Sequence, residues 1–194
     1  MTRLVVIGPS GSGKTRLCGR LAELLPARHV EIDALWHGPN WESCGAEELR
    51  RRVSAATEGD DWISDGTYHT IIGDLVLERA ETVAWLDLPV ALVMWRLVRH
   101  SWVRKRDDVV LWHGNREERW LNQIRWLIWP AFKRAFENRR RLPAHLAQHP
   151  QLQVHRLRSD ADVETFVQSI QATESMSGSS KGSERQKTPP LAET

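Results

Sequence analysis

Short apolar runs alternate with helical patterns along most of the chain, as is typical of a parallel α/β sheet. The first run, Arg3 to Gly8, is continuous and ends in glycine, as expected for a strand covered on both faces. From Lys14 to Leu25 apolar residues recur at helical spacing until Pro26 stops the pattern. Four further strands are predicted at His29 to Asp33, Asp61 to Asp65, Thr82 to Asp87 and Leu152 to Leu157. We therefore expect parallel strands joined by right-handed crossovers.

The same patterns predict four more helices and an end to the folded region. The helices are expected at Ala46 to Ala56, Val90 to Lys105, Glu117 to Arg141 with Pro130 interrupting, and Asp162 to Gln171. Beyond about Thr173 the chain is rich in Ser, Gly and Lys and has no apolar periodicity that would bury a core. We predict one domain over residues 1–172 and a disordered tail over 173–194.

Composition changes this picture little. A formal charge of +2 over 194 residues does not imply a nucleic-acid or membrane partner for the whole molecule. Two cysteines make no disulfide framework, and the N-terminus leads into a strand and a glycine loop rather than a signal peptide. Apolar runs such as Val90 to Trp95 are too short to cross a bilayer. We expect a cytoplasmic protein with no membrane partner.

The strongest motif lies between the first strand and the first helix. Eight residues fit the phosphate-binding pattern of glycine, four residues, Gly-Lys, then Ser or Thr: Gly8, Pro9, Ser10, Gly11, Ser12, Gly13, Lys14 and Thr15. Its glycines let successive amide groups converge on a phosphate at the positive end of the helix. Lys14 is expected to reach the β- and γ-phosphates of ATP, and Thr15 to bind Mg²⁺.

With this loop the sequence resembles the adenylate-kinase-like P-loop kinases, especially the DNA topology modulation proteins, over about residues 3 to 170. The resemblance rests on five segments: Ile7 to Thr15, Glu31-Ile32-Asp33 with Trp36 and Trp41, Trp62 to Tyr68, Trp85 to Pro89, and an arginine-rich stretch beyond them. It implies a three-layer P-loop NTPase fold with a five-stranded parallel sheet in the order 2-3-1-4-5, helices on both faces and a helical arginine-rich lid.

In that sheet order the ends of strands two and three would lie beside the phosphate loop, where ligands bind in open α/β sheets. The resemblance makes Asp65 the carboxylate that holds Mg²⁺, although an Asp-Gly turn would also explain it. Asp33 is the candidate to orient or deprotonate an acceptor hydroxyl, with helix capping as its alternative. Asp87 is expected to act only structurally, as a cap near Pro89.

The segment from Trp95 to Arg141 carries thirteen Lys or Arg against five Asp or Glu, a local excess of eight positive charges. Phosphoryl transfer develops charge on the equatorial oxygens, which guanidinium groups stabilise. The resemblance gives Arg96 an adenine-packing role. Four arginines are candidates to reach phosphate: Arg99, Arg104, Arg106 and Arg119. Of these we predict Arg104 and Arg106 to be catalytic.

Six tryptophans interleave with these arginines: Trp95, Trp102, Trp112, Trp120, Trp126 and Trp129. Alternating tryptophan and arginine would suit single-stranded nucleic acid. Tryptophans at such spacings more often pack between helices, and we expect these to be buried.

The resemblance weakens at the acceptor side. Adenylate kinases place a mononucleotide-binding arginine after the strand-three Asp-Gly, where this chain has Thr67, Tyr68, His69 and Thr70. The insert after strand two, with Trp36, His37, Trp41 and Arg50 to Arg52, suggests either an aromatic acceptor pocket or a helix packed on its tryptophans. No His and Cys spacing predicts a zinc site, so we expect His37, His69 and His113 at the surface, and Cys18 buried.

Two hypotheses of different classes follow. The favoured one is an ATP- and Mg²⁺-dependent kinase for a small acceptor, either a nucleotide or another hydroxyl compound. The alternative is a nucleotide-dependent nucleic-acid-binding protein that hydrolyses ATP slowly.

Overall fold

Five strands form one parallel sheet in the order β2-β3-β1-β4-β5. A computed structural model of the chain describes residues 2–107, 109–110, 112–115, 132, 136 and 139–184. For residues 105 and 175–184 it describes the backbone alone. The strands are β1 Thr2–Ile7, β2 Arg28–Glu31, β3 Asp61–Asp65, β4 Thr82–Leu86 and β5 Gln153–Leu157. The predicted strand order and the three-layer P-loop NTPase fold are therefore confirmed.

Helices connect the strands and cover both faces of the sheet. They are α1 Lys14–Leu24, α2 Ile32–Trp36, α3 Ala46–Ala56, α4 His69–Ile72, α5 Leu75–Arg79, α6 Val90–Arg106, α7 at residues 139–146 and α8 Asp160–Glu184, with 3₁₀ turns at Pro39–Trp41 and Trp112–Gly114. The patterns predicted α1, α3 and α6 to within a residue at each end. They did not predict α2, α4 and α5, because helices of four or five residues are too short to show a period.

The continuous apolar run of β1 reflects burial on both faces of the sheet. Leu4 and Val6 pack with residues of α1 and α8, whereas Val5 and Ile7 pack with residues of α3, α5 and α7. Successive side chains of a strand point to opposite faces, so a central strand between two helical layers must be apolar at every position. This packing fixes the end of β1, from which the phosphate loop starts.

Two differences from the expected boundaries bear on the site and on the C-terminal segment. β2 ends at Glu31 rather than Asp33, because the chain turns into α2 there and Asp33 lies in the first turn of that helix. α8 continues to Glu184, through residues expected to be irregular, since a helix elongates readily once its first turns have formed. The domain boundary at residue 172 itself stays a prediction.

Much of the arginine-rich stretch lies outside the described residues. Of the helix predicted at Glu117 to Arg141, the structure describes only residues 132, 136 and 139–141. Arg119 and three of the tryptophans lie outside the described residues: Trp120, Trp126 and Trp129. The lid therefore stays a prediction. Within the described residues, no helix is long and apolar enough to cross a membrane.

Asp87, at the end of β4, holds two arginines rather than capping a helix. The Arg139 Nε donates to Asp87 Oδ1 at 2.5 Å, and the Arg156 guanidinium lies 2.7 Å from Oδ2. The α6 N-cap residue is Pro89, and no side chain caps the helix there. The Arg156 guanidinium also lies over the Trp85 ring, 4.4 Å from its centroid. Asp87 thus joins α7 and β5 to the end of β4.

Asp87→Ala is expected to lower the free energy of unfolding by about 2–3 kcal/mol, measured by urea denaturation. The carboxylate is buried, but its two guanidinium partners are 38–40% exposed and regain water. The loss should therefore fall below the roughly 3–5 kcal/mol of a fully buried broken pair. The control Asp107→Ala, which removes an exposed carboxylate beside Arg106, should leave the unfolding curve unchanged. Equal curves for the two variants would contradict a structural role for Asp87.

Candidate functional site

The loop between β1 and α1 has the backbone conformation that a phosphate cradle requires. Gly11 and Gly13 have φ values of 82° and 96°, which other residues rarely adopt. A Cβ at Gly11 would come within 2.9 Å of the Val93 carbonyl oxygen and 3.0 Å of Leu97 Cβ, both on α6. The loop is therefore held close against α6, with its amide groups at the N-terminus of α1.

One hydroxyl in this loop fits a bound anion. Ser12 is almost fully buried, and its Oγ has no hydrogen-bond partner among the described residues. A buried polar group without a partner is costly unless a ligand satisfies it. Together with the left-handed glycines and the helix N-terminus, this unpaired hydroxyl fits the phosphates of a nucleoside triphosphate.

Three side chains expected to handle phosphate and metal meet at the end of β3. The Thr15 hydroxyl donates a hydrogen bond to Asp65 Oδ2, and Lys14 Nζ lies 4.0 Å from Asp65 Oδ1. β1 and β3 are paired neighbours, with Val6 opposite Asp65, and the Gly66 amide donates to the Val6 carbonyl at 3.0 Å. A hydroxyl, a carboxylate and an ammonium group are therefore gathered beside the loop.

Burial and neighbouring groups shift the pKa of the Asp65 carboxyl in opposite directions. Burial raises the pKa of this carboxyl above its ordinary value, while the positive charge of Lys14 and the hydrogen bond from Thr15 oppose that shift. The negative charge of Asp33 also raises the pKa of Asp65. A buried carboxylate next to a hydroxyl oxygen suits Mg²⁺, which prefers hard oxygen ligands.

Asp33 lies on the same side of the sheet, but on α2 rather than at a strand end. Tyr68, which follows the Asp65-Gly66 turn, donates its phenol hydrogen to Asp33 Oδ1 at 2.5 Å. The carboxylate that ends β2 is Glu31, paired in register with Asp65. The sequence offered two acids in the Glu31-Ile32-Asp33 motif, and Asp33 was selected as the acceptor-side carboxylate because the strand was expected to end there. Glu31 was therefore missed as a candidate site residue.

Aromatic side chains line the insert after β2. The His37 ring lies 5.3 Å from the Trp41 ring and 6.4 Å from the Trp112 ring, with which it is stacked. Trp112 Nε1 donates to Glu31 Oε2 at 2.8 Å, which ties the segment after α6 to the end of β2. We call His37, Trp41 and Trp112 the aromatic wall. In the same insert Trp36 packs against the core, whereas Trp41 stays 37% exposed. The aromatic acceptor pocket stays a prediction.

The arginines of α6 lie at increasing distances from the loop. Arg96 lies between Val93 and Leu97, the two α6 residues against Gly11, and its guanidinium is 2.7 Å from the Asp160 carboxylate. Arg104 and Arg106 follow Leu97 by seven and nine residues, about 10–14 Å farther along the helix. Arg106 pairs there with Asp107. The Arg96 guanidinium thus contacts Asp160 at the start of α8, and Arg104 and Arg106 lie farther along α6. The roles of the three arginines toward the nucleotide stay predictions.

The expectation that the arginine-rich tryptophans are buried is wrong for Trp95 and Trp102, which are 59% and 48% exposed on α6. Arg99 lies over the Trp95 ring and Arg106 over the Trp102 ring, at 5.6 and 5.0 Å from the centroids. Helical spacing alone does not determine whether a tryptophan faces the core or stacks with a cation at the surface.

Cys18 is fully buried as expected, and burial raises the pKa of its thiol.

Comparison with known proteins adds little to this site. No protein-family model matches the chain, and no curated protein matches it. Among solved structures the chain is similar to a shikimate kinase from Acinetobacter baumannii in complex with shikimate, at 19% identity. The match has a TM-score of 0.46 and covers 86% of this chain and 89% of the other. A likeness this distant does not bear on substrate or activity. On its own topology and loop, the chain has a P-loop kinase-like fold.

Lys14→Ala is expected to weaken ATP binding by about 10- to 100-fold, because it removes a charged hydrogen bond to phosphate. The variant should retain its fold, checked by circular dichroism, because Asp65 keeps the hydrogen bond from Thr15 and Lys14 only approaches it at 4.0 Å. Fluorescence titration with a labelled ATP analogue measures the affinity. The control Arg51→Ala removes one positive charge on α3, far along the chain from the loop, and should bind ATP as the wild type does. Undiminished ATP affinity in Lys14→Ala would rule out the phosphate-loop assignment.

Proposed function

We propose that the chain is an ATP- and Mg²⁺-dependent phosphotransferase that moves the γ-phosphate of ATP to a hydroxyl of a small acceptor. The observation that carries this proposal is the pair of carboxylates with different partners at one edge of the sheet. Asp65 is bonded to the Thr15 hydroxyl and lies near Lys14, whereas Asp33 is bonded to Tyr68. One is equipped for a metal and the other for an acceptor.

The residues divide the work accordingly. The loop from Gly8 to Thr15 holds the phosphates, and Lys14 contacts the β- and γ-phosphates. Thr15 and Asp65 hold Mg²⁺, which supplies positive charge to the transferring group. The oxygen of the acceptor hydroxyl forms a bond to the γ-phosphorus, and Asp33 accepts the proton that this hydroxyl loses. The bond from that phosphorus to the bridging oxygen breaks, and the products are the phosphorylated acceptor, ADP and one proton.

Tyr68 and Trp36 support a particular kind of acceptor. The phenol of Tyr68 orients the Asp33 carboxylate, and its ring lies 6.1 Å from that of Trp36. Thr67 follows the strand-three Asp-Gly, where adenylate kinases carry an arginine for a mononucleotide. This favours a hydroxyl compound with an apolar or planar face over a mononucleotide, although a nucleotide acceptor stays within the proposal.

We further propose that the three selected arginines of α6 serve the nucleotide. Arg96 would flank the adenine, which its place between Val93 and Leu97 supports. Arg104 and Arg106 would reach the phosphates only on closure of the arginine-rich segment, because in this structure they lie farther along α6. The residues of the phosphate-loop motif also support membership of the chain in the adenylate-kinase-like group that includes the DNA topology modulation proteins. We further propose that the chain is cytoplasmic and uses ATP there as the phosphate donor.

Substitution of the two carboxylates should separate ATP hydrolysis from transfer. Asp65→Asn is expected to weaken both transfer and the slow hydrolysis of ATP by water, because each needs the metal. Asp33→Asn should retain ATP binding and background hydrolysis while losing transfer by roughly 10²- to 10⁴-fold, as is typical when a general base is removed. ADP release, measured with and without each of a panel of nucleosides, nucleotides and sugars, gives both rates.

The control for this comparison is Asp60→Asn, which changes an exposed carboxylate just before β3, at the opposite edge of the sheet. It should keep both rates. Full transfer by Asp33→Asn to an acceptor that stimulates the wild type would show that Asp33 is only a helix residue. Loss of hydrolysis and transfer to the same extent in both variants would argue against separate roles.

A second candidate function is supported by the exposed face of α6. Trp95 and Trp102, each covered by an arginine, offer ring faces on which unpaired bases would stack. This favours a nucleotide-dependent protein that binds single-stranded nucleic acid and hydrolyses ATP slowly.

Under this second function, single-stranded DNA should stimulate ATP turnover where the small acceptors do not. Trp95→Ala with Trp102→Ala should then weaken binding of a labelled oligonucleotide by about 1–3 kcal/mol per lost stacking contact. Fluorescence anisotropy measures that affinity. Under the kinase proposal the double variant keeps acceptor-stimulated turnover and no oligonucleotide effect is seen.

A further inference from the structure

Three metal-ligating side chains that the phosphate site does not use converge where α7 meets the connection between α4 and α5. His145 Nε2 lies 2.9 Å from Asp74 Oδ1, and His149 Nε2 lies 3.3 Å from Asp74 Oδ2. One ligand atom from each residue can be chosen so that all lie within 4.8 Å of one another. Two imidazole nitrogens and a carboxylate therefore face a common point.

The fold of α7 holds both histidines in place. Leu142 and Leu146 are buried in the core on this face of the sheet, and His145 and His149 each follow one of them by three residues. Within α7, Leu142 and His145 lie on one side of the helix, whereas His149 lies in the turn just after it. The His149 amide donates to the Leu146 carbonyl at 3.0 Å, which fixes the turn after α7. The histidine side chains are only 27% and 12% exposed.

Asp74 is committed to these histidines rather than to its own helix. It occupies the N-cap position of α5, where an aspartate normally accepts a backbone amide hydrogen. No side-chain cap forms there, and both carboxylate oxygens point to imidazole nitrogens instead. The Asp74 carboxylate therefore contacts His145 and His149 instead of accepting a backbone amide hydrogen at the start of α5.

We propose that Asp74, His145 and His149 bind one divalent transition-metal ion of the zinc type, as a structural site. Zinc bonds to nitrogen and oxygen are about 2.0–2.2 Å, so tetrahedral ligand atoms stand roughly 3.3 Å apart. The 2.9 and 3.3 Å separations require little movement to reach that geometry. Imidazole ligands select zinc, copper, iron or nickel over magnesium, which keeps this site distinct from the phosphate loop.

The fourth ligand position has a nearby candidate. The His69 ring centroid lies 5.5 Å from that of His145, and His69 begins α4 directly after Tyr68. Either a water molecule or His69 completes the coordination. The ion would join the end of α7, whose Arg139 bonds to Asp87, to the α4–α5 connection. The His145–His149 spacing alone could not reveal the site, because its carboxylate lies 71 residues earlier.

The test is titration of chelator-treated full-length protein with Zn²⁺ by calorimetry and with Co²⁺ by visible absorption. The wild type should bind one equivalent, with Co²⁺ bands characteristic of imidazole ligands, and Zn²⁺ should raise the melting temperature. His149→Gln and Asp74→Asn should each lose affinity by at least the roughly 10- to 100-fold seen when an outer-shell partner is removed. The control His100→Gln, on the exposed surface of α6, should bind as the wild type does.

A wild-type protein that binds no Zn²⁺ or Co²⁺ would overturn the proposal and leave a carboxylate hydrogen-bonded to two histidines. Undiminished affinity in His149→Gln or Asp74→Asn would overturn it equally. Circular dichroism checks that each variant folds without metal. Should both fail to fold, the wild-type protein decides, because a melting temperature that does not change between chelator and Zn²⁺ excludes the site.

Discussion

The hydrogen bond from the Thr15 hydroxyl to the Asp65 carboxylate is the contact on which the proposed chemistry depends. It joins the first turn of α1 to the end of β3 and so fixes the phosphate loop against the neighbouring strand. Asp65 is buried, so its charge needs nearby donors and cations, and Lys14 and Thr15 provide them. A metal ion and phosphates at this point would meet groups that are already in place.

The sheet order makes this contact possible. β1 lies between β3 and β4, so the loop after β1 has Asp65 on one side and the end of β4 with Asp87 on the other. The apolar residues of β1 lock that strand between two helical layers, and α6 closes against Gly11 from the β4 side. Asp87 and its two arginines stabilise the same edge. Rigid neighbours therefore position the loop, as a preorganised phosphate site requires.

The residues of the loop could be predicted because they form a motif with fixed spacing, whereas the strand order followed from the resemblance to the adenylate-kinase-like P-loop kinases. The metal-binding role of Asp65 also came from that resemblance and stays a prediction. Asp33 was expected at a strand end and lies on α2, since a five-residue helix leaves no readable period. Glu31 was overlooked for the same reason. The exposure of Trp95 and Trp102 depends on which side of α6 meets the sheet, and the cluster of Asp74 with two histidines depends on contacts across 71 residues. Neither is encoded in local spacing.

The central claim is transfer of phosphate to a small molecule, and the most direct measurement follows the phosphorus itself. Wild-type protein would be incubated with Mg²⁺, ATP labelled at the γ-phosphate and a fractionated small-molecule extract, and the products separated by size and charge. The account predicts a labelled low-mass product other than inorganic phosphate, which Lys14→Ala does not form. Label recovered only as inorganic phosphate from every fraction, at the same rate with and without extract, would contradict it.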